Sequence, residues 1–183
     1  MMTKILFFLC VIAASVSNAQ LYSSSSSKIT FFSKTAVEDI SAVNTTSKSA
    51  IDAKAKSVLV RVKVIAFKFD KPLMEEHFNE KYMESDKFPD AIFKGKITSE
   101  INFAKDGVYP VSVEGVLTMH GVDQPRTLQG TLEIKKGILI LHCNFNVKLV
   151  DHKIEVPSVV TEKIAESIAV DVNFTYAPYK KSK

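Results

Sequence analysis

The 183-residue chain has no tryptophan, two cysteines and four histidines, and its longest apolar run covers ten residues. Each shortage excludes something. Ten apolar residues are about half of what an α-helix needs to cross a bilayer, so that run, Ile5 to Ala14, is not read as a membrane anchor. The charge is nearly balanced, with 24 basic against 20 acidic residues, and no basic cluster marks a nucleic-acid face. The four histidines are never spaced i, i+4 on a helix, so no metal site is read. With twelve phenylalanines and no tryptophan, much of the aromatic mass is purely apolar.

The amino-terminal run is read as a secretory signal. Lys4 supplies the positive start, and Ser17-Asn18-Ala19 ends in the small-x-small pattern that signal peptidase accepts. A lipoprotein cut before Cys10 is disfavoured, because Leu9 stands where a small residue is needed. Cleavage after Ala19 predicts a periplasmic or secreted chain from Gln20, with 23 basic and 20 acidic residues. Cys143 is then its sole cysteine, so no internal disulfide is available and stability must come from packing. The expected organisation is a signal over 1–19, a mobile Ser-rich linker over 20–27, one domain over 28–178 and a basic tail over 179–183.

From Lys28 onward, apolar residues recur in steps of two, the period of a strand with one buried face. Segments 28–34, 90–97 and 100–103 read as short strands, and 57–69 as a long one. Within the long one, Val58, Val60, Val62 and Val64 share a parity that Phe67 and Phe69 do not. A bulge near Ile65-Ala66 would bring both sets inward, although a strand apolar on both faces fits equally well. Tyr109 to Met119, Leu128 to Ile134, Leu139 to Leu149 and Ile168 to Tyr176 alternate cleanly, and Lys135-Lys136-Gly137 reads as a tight turn. Two segments break the rhythm. Pro72 to Glu84 carries Pro at a first helical position and a Met74, Phe78, Tyr82 stripe. Pro157 to Glu166 is a second short helix candidate, with Ser158 as its N-cap. About eight strands with one or two short helices predict an all-β fold, a closed antiparallel eight-stranded barrel.

The stretch from Leu117 to Gly130 places His120, Asp123 and Arg126 around Gly121 and Pro125. Gly121 supplies an unusual backbone angle, Asp123 bonds locally and Pro125 does not suit a central ladder, so a hairpin connection explains the group. Neither a Gly-x-Ser-x-Gly nor a Cys-His pattern lies nearby, and no catalytic residue is assigned. His77 reads either as a helix-surface histidine or as a polar group near a barrel mouth. Cys143 shares the Leu139–Leu149 apolar face, which points to a buried small side chain rather than a reactive thiol.

Three segments together resemble the YceI-like proteins, exported lipocalin-like barrels that bind polyisoprenoids and related lipids. Ile29 to Ile40 is similar to that family's opening strand and turn. Met74 to Phe93 is similar to its helix and the Tyr/Phe-Pro-x-x-x-Phe strand entry, here Phe88-Pro89 through Phe93. Gly115 to Pro125 follows its Gly-x-Leu-Thr-x-x-Gly-Val-x-x-Pro pattern. The chain departs from commoner members where Glu75-Glu76 replaces an Arg-Asp pair before His77, and where Ser41-Ala42 replaces a glycine.

The resemblance implies an elongated apolar cavity and no cofactor. Its ligand would be a long-chain isoprenoid or fatty-acid-like molecule, with transient membrane-surface contact and a monomeric or homodimeric state. The residues expected to meet that ligand are Phe31, Val60, Val62, Phe67, Met74, Phe78, Phe93, Val113, Leu117, Leu132, Cys143, Phe145, Val172 and Phe174. Two rivals stand beside this expectation. One is the same barrel with a lumen filled by its own side chains, acting through its surface. The other is a hydrolase or isomerase using His77 or His120.

Overall fold

The computed structural model describes residues 21–157 and 162–180. Its strands are β1 (Leu21–Lys34), β2 (Asp39–Asn44), β3 (Lys48–Asp52), β4 (Ser57–Lys63), β5 (Lys68–Phe69), β6 (Asp90–Ile97), β7 (Gly107–Met119), β8 (Val122–Lys135), β9 (Ile138–Lys148) and β10 (Ser167–Pro178). All pairings are antiparallel, and β10 returns to β1, so the sheet closes on itself. The ten segments form eight staves. β2 and β3 lie end to end along β1, and β5 prolongs the β4 stave to pair with β2. Closure gives every stave two neighbours and so removes the end strands of an open antiparallel sheet.

The expected parity holds along β7 to β10, where every second residue faces the lumen. On β4 the expected bulge is instead a 3-10 turn at Val64–Ala66. It resets the phase so that the β4 valines and then Phe67 and Phe69 all point inward. The first helical segment is a short α-helix, α1 (Pro72–His77), which widens into a π turn over Phe78–Tyr82. The Asn79 side-chain amide donates to the Glu75 carbonyl at 2.9 Å, competing for an acceptor that an α-turn would use. The wider turn lets Phe78, Tyr82 and Met83 all reach the barrel.

Several expectations are corrected. Ser23 to Ser27 is part of β1, paired with β10 through one bulge near Ser25, because backbone pairing there outweighs the weak strand preference of serine. Tyr179 is likewise tied down, its N–H donating to Leu21 O at 2.8 Å. The 100–103 segment is a loop rather than a strand, with Ile101 and Phe103 tucked against the core. Of the second helix candidate, Pro157 to Glu166, residues 158–161 lie outside the described residues, and the other six, Pro157 and Glu162 to Glu166, are not helical.

The hairpin at His120 is shorter than expected. Met119 pairs with Val122, and only His120 and Gly121 lie between them, with φ of 51° and 71°. Those angles suit a two-residue primed turn, which glycine adopts without strain. Asp123, Pro125 and Arg126 therefore stand within β8. Pro125 is tolerated because the β8–β9 ladder runs only from Gly130 to Lys135, leaving the β9-facing side of Pro125 without a strand partner.

The two ends of the barrel differ. At one end, Tyr22, Ile51, Leu132, Ile134, Leu139, Phe174 and Tyr176 pack into a plug, each at most 4 % exposed. Phe103 stacks on Tyr22 beneath it. The other end carries the β1–β2 turn, α1, the His120 hairpin and the β9–β10 connection.

Candidate functional site: an apolar cavity with a polar mouth

Above the plug the lumen is open, forming a cavity of about 580 Å³. That lies within the range of about 300–1,000 Å³ typical of small-molecule sites. Its walls are the inward rows of the strands, Val58, Val60 and Val62 from β4, Val111, Val113 and Leu117 from β7, Cys143, Phe145 and Val147 from β9, and Val170 and Val172 from β10. Two facing glycines make room in one wall for the Phe93 ring. Gly95 and Gly115 are register partners on β6 and β7, and the Phe93 ring lies over both, within 3.0 Å of where either Cβ would stand.

At the mouth, four phenylalanines from four places in the chain pack together. Phe31 of β1 stacks on Phe78 of the π turn with centroids 5.4 Å apart, and Phe67 and Phe69 lie 5.2 and 5.6 Å from Phe31. This quartet fastens the helix across part of the opening while leaving its faces toward the lumen.

Among the described residues, acidic and basic side chains enter the lining only at this end, as Glu38, Lys71, His77 and Lys163. The β1–β2 turn holds Glu38 firmly. Thr35 Oγ1 donates to Glu38 O at 3.1 Å and accepts from the Glu38 N–H at 3.0 Å. Lys71 Nζ donates to Glu38 Oε1 at 2.9 Å. That hydrogen bond, with the positive charges of Lys71 and Lys163, holds the Glu38 carboxyl below the usual carboxylate range.

Twelve of the fourteen expected residues lie in the lining, namely Phe31, Val60, Val62, Phe67, Met74, Phe78, Phe93, Val113, Leu117, Cys143, Phe145 and Val172. Leu132 and Phe174 do not. They have the right parity but sit one inward step deeper, 1 % exposed, where they belong to the plug. The mouth residues Glu38, Lys71 and Lys163 carry no periodic signal, and only their fold neighbours place them.

His120, Asp123 and Arg126 serve the scaffold. The His120 ring nitrogens face His152 O at 3.0 Å and Glu84 Oε2 at 3.2 Å, so the hairpin tip ties the β9–β10 connection to the end of the π turn. Arg126 pairs with Asp151 at 3.1 Å and Asp123 accepts from Thr118. His152 is fully buried in the 3-10 turn Leu149–His152, with Nδ1 3.2 and 3.3 Å from the carbonyls of Met119 and Val122. Carbonyls only accept, so Nδ1 carries the proton, and Nε2 has no partner among the described residues. Nothing in this cluster opens to the cavity as a nucleophile and base would require.

The sequence matches the domain family described as YceI-like over residues 20–176. The chain belongs to the YceI-like family. Solved structures agree in fold. A polyisoprenoid binding domain from Saccharophagus degradans, described as implicated in plant cell wall breakdown, superposes with a TM-score of 0.75 at 14% identity, covering 86% of this chain and 98% of the other. BcnA of Burkholderia cenocepacia gives 0.69 at 15% identity, covering 81% and 95%. The Campylobacter jejuni YCEI protein gives 0.57 at 18% identity, covering 98% and 94%. No curated protein matches the sequence. Within this YceI-like barrel the plugged end and the open lumen are properties of the chain's own residues.

Proposed function

We propose that this YceI-like protein binds one long-chain apolar molecule, an isoprenoid or acyl chain, in its lumen and carries or sequesters it outside the cytoplasm. The observation that carries this reading is the cavity of about 580 Å³, whose walls are apolar down to the plug and whose charged groups stand only at the mouth. Burying a chain there gains up to about 0.8 kcal/mol per methylene, so roughly ten carbons contribute up to about 8 kcal/mol before association costs. The name of the S. degradans domain, a polyisoprenoid binding domain, points the same way. An open lumen weighs against a barrel that acts only through its outer surface. The signal-like start of the chain supports export to the periplasm or medium. Transient contact with a membrane, the store of such chains, and a monomeric or homodimeric state complete the proposal.

Organic extraction of the purified protein followed by mass spectrometry tests it. A co-purifying isoprenoid or acyl lipid is expected. Finding none, together with no binding of prenyl or acyl probes, would overturn the proposal.

A further inference from the structure

Resting on the proposed lipid-binding function, we infer that the ligand is an amphiphile with an anionic head, a carboxylate or a phosphate, held at the mouth by Lys71 and Lys163. Apart from Gln129 and the Cys143 thiol the described walls are apolar, and the ionisable groups stand at the rim, where a polar end would find its partners. There the lining contains two ammonium groups, Lys71 and Lys163, against a single carboxylate, Glu38. Glu38 is already engaged by Lys71 at 2.9 Å and held in place by the Thr35 turn. Lys163 makes no ion pair among the described residues. A cationic head would face two like charges with one committed counter-charge. An anionic head instead supplies the second negative group that the pair of lysines lacks, and it shares the position that the Glu38 carboxylate marks as favourable for negative charge. Of the other acids, Glu75 is bound by Lys68, Asp90 by Arg61 and Asp151 by Arg126, while Asp70 and Glu162, next in sequence to Lys71 and Lys163, are not part of the lining.

The test compares paired probes that differ only in head group, using the whole protein stripped of co-purifying lipid. Palmitate is set against hexadecanol, and farnesyl phosphate against farnesol, by fluorescence displacement at neutral pH. The charged member of at least one pair should bind about three- to tenfold more tightly, the scale of one or two exposed ion pairs. Lys71→Gln with Lys163→Gln should erase that preference, weakening the charged member of the pair by more than the alcohol. Glu38→Gln, which removes the competing carboxylate, should increase it. Whichever pair shows the preference identifies the head as carboxylate or phosphate. Equal affinity of acid and alcohol, or a preference untouched by the double substitution, overturns the inference while leaving chain binding intact. Binding of no probe at all defeats both.

Discussion

The hydroxyls of Ser49 and Tyr176 meet at 2.8 Å inside the plugged end of the barrel. Ser49 donates its only proton to Leu59 O at 2.9 Å, so Tyr176 is the donor between the two hydroxyls. One residue comes from β3 and the other from β10, so this bond links staves on either side of β1. Ser49→Ala leaves a buried phenol without an acceptor and should cost about 1–3 kcal/mol, whereas Tyr176→Phe removes the donor while Ser49 keeps its bond to Leu59 O, and should cost about 1 kcal/mol. Urea titration of both variants checks the order.

Burial raises the Tyr176 phenol well above its ordinary value of 10.0. A raised folded-state value stabilises the fold below the unfolded value and is lost as pH climbs beyond it. Wild-type stability should therefore fall above about pH 10, and Tyr176→Phe should lose less over the same range. Thermal melts between neutral and strongly alkaline pH measure the difference.

His152 gives the opposite limb. Burial holds its ring below the ordinary value of 6.5, so the folded protein keeps it neutral where the unfolded chain takes up a proton. Its contribution is complete above pH 6.5 and declines as the pH falls through the folded value. The melting temperature should drop on acidification through that window. His152→Gln, unable to titrate, should flatten this part of the curve even though it starts lower.

Gly130 stands at the last rung of the β8–β9 ladder, and a Cβ there would lie 2.2 Å from His142 O. Backbone must move to accept it. Gly130→Ala should destabilise by about 1–3 kcal/mol or more, as overpacking does, despite adding a single methyl. A chemical denaturation midpoint well below wild type is expected.

Cys143 lines the cavity at the same rung, and burial, followed by the charge of Asp171, pushes its thiol up to about 11. At neutral pH the native protein should react slowly with a disulfide reagent, and urea should release the thiol at once. A chain-like ligand should slow the native reaction further, which makes Cys143 a built-in occupancy reporter.

Legibility in the sequence followed polarity contrast. β7 to β10 set apolar against polar residues at every step, and their inward faces are those expected. β2 and β3 escaped because they turn Ala42, Asn44 and Ser49 inward, buried residues that no apolar count would select. The serine run of β1 was hidden for the same reason. Parity also fixes which way a side chain points and not how deep it lies. Leu132 and Phe174 share the alternation of Leu128 and Val172, yet one pair closes the barrel and the other lines the space above. The mouth charges arise from turns whose meeting is decided only by barrel closure.

That closure at one end also sets an order of events. Under the proposed function, a chain entering past Phe31 and Phe78 would go in tail first, with its leading carbon against Leu132 and Phe174. Leaving by the same mouth would bring it out head first. Delivery would then reverse loading, with donor and acceptor meeting the same rim. The plug makes the protein a gauge as well: a tail longer than the lumen lifts its head group away from the mouth lysines, and a shorter one leaves empty depth beneath it.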